Sequence, residues 1–190
     1  ADAQANLGFA YASGWGLAAD TTKAALWLGR AARKGSETAQ FNLGKLLLGQ
    51  GEIRHQKRGF HWCRQAAEHG HVGAQAGLGF CYANGLGVAT DDAQAALWFE
   101  QAALQGDASA QTSLALIYLE GRGVTSDANR GFMLLEGAAS QGDRRAQEIL
   151  ASQRPSTNPR TSTSVYLRKP RQTRPRRDAC IGRILPSLPL

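Results

Sequence analysis

Five segments of this chain open on the same Ala-Gln pair, at spacings of 36, 35, 36 and 36 residues. Ala3-Gln4-Ala5-Asn6-Leu7-Gly8 recurs as Ala39-Gln40-Phe41-Asn42-Leu43-Gly44. It returns as Ala74-Gln75-Ala76-Gly77-Leu78-Gly79, as Ala110-Gln111-Thr112-Ser113-Leu114-Ala115, and as Ala146-Gln147-Glu148-Ile149-Leu150-Ala151. A second block keeps step: Trp27…Ala31-Ala32…Gly35, Trp62…Ala66-Ala67…Gly70, Trp98…Ala102-Ala103…Gly106 and Leu134…Ala138-Ala139…Gly142. A period of this length restricts the fold to an array of supersecondary units, each burying its apolar face against its neighbours.

Each unit reads as two antiparallel helices. Ala3, Leu7 and Tyr11 are four apart and share one helical face. Gly8 lies beside that face, where a missing side chain lets the partner helix approach. Gly14 and Gly16 then supply backbone angles that an L-residue resists, so the chain turns. Asp20, Asp91 and Asp127 stand where a carboxylate can accept from the free amides of a second helix. That helix is expected to bury Ala24, Trp27, Ala31 and Ala32, and to end at Gly35 in the left-handed conformation. Ser36, Asp107 and Asp143 can cap the next unit at once. The first 153 residues contain no proline, so no backbone ladder is interrupted.

The pattern resembles that of the Sel1-like repeats, relatives of the tetratricopeptide repeat. Unit three carries most of the likeness, through Ala74, Leu78, Gly79, Tyr82, Gly85, Gly87, Val88, Asp91, Ala95, Trp98, Ala102, Ala103 and Gly106. The resemblance covers residues 3–145 and implies an all-α, right-handed α/α solenoid. Its units are about 3–38, 39–73, 74–109 and 110–145, with a partial fifth at 146–153. Units two and four depart most. Leu47 replaces Tyr, His55 takes the Asp place and Gly59 replaces Ala in unit two, whose loop is one residue shorter. Unit four has Ala115 for Gly, Gly131 for Ala and Leu134 for Trp. These two units are expected to be the loosest.

Charge separates the repeats from the C-terminal segment. The whole chain carries +7, but residues 1–153 hold 13 Lys+Arg against 14 Asp+Glu. Residues 154–190 hold nine cations, one acid and all six prolines. The segment Arg168–Arg177 is basic and free of aromatics, and with the Ser/Thr-rich 156–164 before it reads as disordered. It is a linker, a non-native end or an electrostatic arm. As an arm it would bind polyanions without regard to sequence, at a Kd on the order of 10⁻⁴–10⁻⁶ M. No stretch approaches the roughly 18 apolar residues of a membrane-spanning helix. The only methionine is Met133 and Ala1-Asp2-Ala3-Gln4 already reads as helix interior, so the chain is expected to be a fragment or a processed form. The compartment is left undetermined.

No catalytic constellation emerges. Gly14-Trp15-Gly16 joins two helices and lacks the strand and third glycine of a dinucleotide fingerprint, and no G-x-S-x-G, S-x-x-K, H-E-x-x-H or C-x-x-C occurs. His55, His61, His69 and His71 cluster in unit two and the turn after it, with Cys63 among them. His61 and His69 are eight apart, about 80° around a helix, and no i,i+4 histidine pair exists. They read as solvated helix-end residues suited to the C-terminal dipole rather than as zinc ligands. No metal and no cofactor is expected. Cys63 and Cys81 read as small buried hydrophobes. Some cysteine-rich Sel1-like proteins link each helix pair by a disulfide and are described as β-lactam-binding; that pattern does not repeat here.

The expectation is a non-catalytic scaffold that holds another protein or peptide. By analogy with tetratricopeptide repeats, the first helices would line the concave side. Phe9, Phe41, Lys45, Phe80 and Leu116 vary between units while the core positions stay, as a specificity surface requires; the competing reading is that they fill the joints between units. Trp15, in the variable place between loop glycines, either covers a helix end or anchors a partner. By resemblance the role is that of an adaptor, in signalling, envelope or host contact if the chain is bacterial. A monomer is expected, with no specific nucleic acid. The rival readings are a hydrolase or β-lactam-binding protein, and a weak nucleic-acid binder acting through the tail.

Overall fold

The structure is a computed structural model that describes residues 2–153. The Pro/Arg-rich segment 154–190, with Cys180, lies outside the described residues. Among the described residues there are nine helices and no strand. They are α1 (Asp2–Ser13), α2 (Thr21–Ala32), α3 (Glu37–Leu48), α4 (Ile53–Glu68), α5 (Val72–Asn84), α6 (Asp92–Leu104), α7 (Ala108–Glu120), α8 (Ala128–Ser140) and α9 (Arg144–Gln153). Odd and even helices pair as hairpins, and each even helix also packs on the next odd one. In addition α1 meets α3 and α3 meets α5. The first helices α1, α3 and α5 are therefore neighbours in a row.

The caps are local chemistry. Asp20, Asp91 and Asp127 each accept from the amide three residues on, Lys23, Gln94 and Arg130, at 2.9–3.0 Å. The Lys23 amide holds the Asp20 carboxyl below the usual carboxylate range. The same three aspartates donate their own amides to the carbonyls of Tyr11, Tyr82 and Tyr118, closing each intra-unit loop. Ser36, His71, Asp107 and Asp143 cap the first helices of the following units. Gly85 and Gly121 end their helices in the left-handed conformation, at φ 71° and 67°.

Unit two differs from its sequence reading. His55 does not occupy the cap; α4 starts a turn earlier, behind Glu52, which makes no side-chain cap bond. The shorter loop is converted into an extra turn of helix.

The side chain that each second helix buries against the first is the one after Trp27, Trp62, Trp98 or Leu134. Trp27, Trp62 and Trp98 are only partly buried. Leu28, Cys63, Phe99 and Leu135 are buried, and each faces a small residue of the first helix. A Cβ on Gly8 would lie 2.7 Å from Leu28 Cγ, and one on Gly79 would lie 2.8 Å from the Phe99 ring. Gly44 receives the Cys63 thiol in the same way. Such separations are closer than real Cβ contacts, so the glycines are notches for the opposing side chains. In unit four the pair is Ala115 and Leu135, both fully buried.

Units two and four are not loosely packed. Gly59 and Gly131, which replace Ala24 and Ala95 at the equivalent place, lie under Leu48 and Leu119, with notional Cβ distances of 2.9 and 2.8 Å to their Cγ atoms. Units one and three have Ala12 and Ala83 where those leucines stand. Alanine opposite alanine is thus exchanged for leucine opposite glycine, the glycine making room for the larger side chain across the hairpin. In unit two, Gly44 and Gly59 also bring the two backbones together, each notional Cβ 2.9–3.0 Å from the other's carbonyl oxygen.

The Gln of the repeated Ala-Gln pair ties one unit to the next. Gln40, Gln75, Gln111 and Gln147 donate to the carbonyls of Ala32, Ala67, Ala103 and Ala139 at 3.0–3.4 Å. These acceptors lie in the last turn of the preceding second helix, where carbonyls lack intrahelical donors.

Candidate functional site

Phe9, Lys45, Phe80 and Leu116 occupy one equivalent place on α1, α3, α5 and α7, separated by 36, 35 and 36 residues. Each lies on the residue after the notch position, turned away from the second helix. Phe9 is 46% exposed and Phe80 55%. Lys45 is exposed, and Leu116 is half-buried. Because α1 and α3 adjoin, Phe9 and Lys45 come together in an open groove of about 280 Å³, completed by Ala12, Ser13, Asn42 and Leu46. The lining pairs an aromatic ring with an ammonium group over small polar residues, a surface for a chain bearing apolar and acidic groups.

Phe41 does different work. Its ring lies 4.8 Å from that of His71, and a Cβ on Gly73 would come within 3.1 Å of it. It packs with Ala66, Ala67, Ala74 and Leu78 in the joint between units two and three. The Lys45 ammonium lies 5.8 Å from its ring centroid. Phe41 therefore fills the joint between units two and three and meets the groove only through Lys45.

Trp15 is 77% exposed, in the loop between α1 and α2. Its counterparts in units three and four, Leu86 and Arg122, behave otherwise. Leu86 is partly buried, and Arg122 reaches back to Asp92 of the preceding unit at 3.3 Å. The neighbouring Gly87 and Gly123 lie against the backbone of the preceding unit's second helix, Gly87 at Gln56 and Gly123 at Asp92–Ala93. Gly16 has nothing within 4 Å of its notional Cβ among the described residues.

The histidines do not converge. His55 sits 3.5 Å from Glu52, and His61 stands edge-on to Trp62 at 5.8 Å. His69 contacts the Gln65 carbonyl at 2.7 Å. His71 caps the N-terminus of α5, the opposite end from the one the dipole argument assigns it. Among the described residues no group of three or more His, Cys, Asp or Glu could hold a metal ion, and no helix is long and apolar enough to cross a membrane. Cys63 and Cys81 are free and buried. Burial, with Cys81 nearby, pushes the Cys63 thiol up to about 12, and burial raises Cys81 to about 11.

Two features escaped the sequence reading. The first is the role of the repeated Gln, visible as a motif but silent as to its partner eight residues upstream. The second is charge polarity within the repeats. Residues 2–64 carry nine Lys+Arg and four Asp+Glu, whereas 65–153 carry four and ten. The near-neutral total conceals a basic end and an acidic end; a count by unit would have found it.

The Sel1 repeat profile matches at residues 1–36, 38–71, 72–107 and 108–143. A Sel1 repeat protein from Oxalobacter formigenes is 34% identical over 78% of this chain, with a TM-score of 0.71. The match spans 61% of that protein's length. Cysteine-rich protein B of Helicobacter pylori shares the fold, with a TM-score of 0.55 at 22% identity over 69% of this chain and 95% of its own. A comparison with curated proteins gives no match. Four profile matches in register with four notched helix hairpins show that this chain belongs to the Sel1 repeat family.

Proposed function

We propose that this chain is a non-catalytic scaffold that holds a partner protein along its row of first helices. Sel1 repeat proteins generally mediate protein–protein interaction. The observation that carries the finer reading is the Phe9–Lys45 groove between α1 and α3. There two side chains that vary from unit to unit meet on an otherwise regular face, one of them a largely exposed aromatic ring. A few residues carry most of the free energy at protein interfaces, and a ring such as Phe9 gains by being covered when a partner docks. Phe80 and Leu116 extend the same line, and Trp15 adds an anchor at the loop edge. The scaffold acts as a monomer, with no specific nucleic-acid partner.

The test is capture of partners by crosslinking with wild type and with a Phe9→Ser/Lys45→Glu double variant, folding being checked by circular dichroism. Loss of the captured species from the folded double variant supports the reading. An unchanged pattern removes the groove from it. Turnover of nitrocefin by the wild type, abolished by changing one Ser or His, would replace the scaffold by a hydrolase.

A further inference from the structure

We propose a second docking site, on the second-helix side at the joint of units one and two, that accepts an acidic side chain of a partner polypeptide. It assigns a surface and a partner chemistry beyond the first-helix groove. The site is a cleft of about 270 Å³ between α2 and α4. Its floor is apolar, Gly29 with Leu43 and Leu47, and its rim carries Arg33, Arg58 and Trp62.

The repeat itself says what is missing from this cleft. The buried positions Leu28, Cys63, Phe99 and Leu135 set the register of the second helices. In that register Arg58 of unit two corresponds to Arg130 of unit four, and Gly29 of unit one to Glu100 of unit three. At the joint of units three and four, Arg130 pairs with Glu100 and stacks on Tyr118, 4.6 Å from the ring centroid. At the joint of units one and two the arginine is present but the glutamate is a glycine. The joint between units two and three has Gln94 and Arg64 in these places, and Arg64 pairs with Glu68 on its own helix. Neither Arg33 nor Arg58 has a carboxylate partner among the described residues; Asp20 pairs with Lys23 and Glu68 with Arg64, and Glu52 lies 3.5 Å from the His55 imidazole.

Gly29 leaves room for the absent group. The nearest atoms to a Cβ there are Arg33 Nη1 at 3.7 Å and Leu43 Cδ2 at 3.9 Å, ordinary contact distances. A carboxylate reaching in from outside would meet two guanidinium groups, which bind carboxylates in charge-assisted, often bidentate geometry. Its aliphatic stem would lie on the leucines and Trp62. A nucleic acid fits less well, because the basic surface ends at unit two. Beyond it, residues 65–153 carry ten acids against four bases and repel an extended polyanion.

The test uses the full chain, so that the basic residues of 154–190 are the same in every variant. The probe is a short fluorescein-labelled glutamate-rich peptide, with its glutamine counterpart as control, followed by anisotropy. Wild type is expected to prefer the glutamate peptide. Gly29→Glu supplies the missing carboxylate from within, and is expected to weaken binding by about tenfold or more while raising Tm. Arg58→Ala, at an exposed position, is expected to weaken it similarly with Tm unchanged. Equal binding of the two peptides, or wild-type affinity in either variant, overturns the proposal. Displacement by inorganic phosphate or duplex DNA as effective as that by unlabelled peptide overturns it in favour of general anion binding. The Phe9→Ser/Lys45→Glu variant should bind the probe as wild type does, so this site and the first-helix groove fail or stand separately.

Discussion

At a single position, the notch glycines show how one missing Cβ sets the distance between two helices. Gly79 lies under the Phe99 ring, and unit four solves the same contact with Ala115 under Leu135. Gly79→Ala alone should therefore destabilise by about 1–3 kcal/mol, through forced separation of α5 and α6. Adding Phe99→Leu recreates the unit-four pair, and should recover part of the loss, with a coupling of about 1 kcal/mol or more in urea melts. Strict additivity would show that the notch does not hold the ring. The cysteines make a second expectation. Cys63 and Cys81 should not react with a thiol reagent at pH 8 until the chain unfolds, because burial keeps both protonated. Folding raises both above their ordinary value of 9.0. Their contribution to stability is thus complete below pH 9 and is lost as pH rises through about 11 and about 12. Rapid labelling of the native protein at these two positions would contradict their placement.

Between elements, polar bonds complement the apolar joints. The glutamine at each unit start reaches the preceding helix end, and in two joints a second glutamine continues the chain. Gln105 donates to Gln75 Oε1 at 2.7 Å, and Gln141 to Gln111 Oε1 at 2.9 Å. The corresponding place in unit two is His69, which turns back to Gln65 instead. As a result Gln40 Oε1 is buried without a partner. Leaving a buried acceptor unpaired costs about 1–3 kcal/mol. His69→Gln should supply the donor and raise stability by about 1 kcal/mol, seen as a higher Tm. A destabilised variant would mean that the α4–α5 turn needs the imidazole. Thr112 makes another such tie: its buried hydroxyl bonds Asp143, the cap of α9, at 3.0 Å.

The repeats form a line of small cores rather than one large core. Leu28 and Leu43 share one cluster, Leu78 and Ala66 the next, Phe99 and Leu114 a third, and Leu135 and Ala146 the last. Each joins neighbouring units, so stability is set by nearest-neighbour contacts. Leu135→Ala should accordingly speed hydrogen exchange in α7, α8 and α9 and leave α1–α4 protected as in the wild type. Uniform loss of protection from α1 to α9 would show one cooperative core. The same linear construction keeps charge segregated. The basic residues 2–64 and the acid-rich residues 65–153 occupy different lengths of the solenoid, and among the described residues no acid of the second half pairs with Arg58.

The repeated sequence was enough to read the helix pairs, the glycine turns and the aspartate caps, and its likeness to the Sel1-like pattern gave the family. Each of these depends on residues close in the chain or on a repeated spacing. What it misjudged depends on which residue faces which across a joint. Trp27 and Trp98 looked like core because they are large, yet the notch admits the next residue, Leu28 or Phe99, and the tryptophans lie half outside. Units two and four looked loose because each substitution was read singly; across the hairpin, Leu48 fills the space over Gly59 and Leu119 the space over Gly131. Phe9 and Lys45 could be identified as variable positions, but only the adjacency of α1 and α3 puts them in one groove. The cleft at Gly29 was invisible for the same reason. A glycine inside a helix and an arginine 29 residues later carry no mutual signal until the fold puts them on the wall of one cleft, where the absence of a glutamate becomes a space with positive charge on its rim.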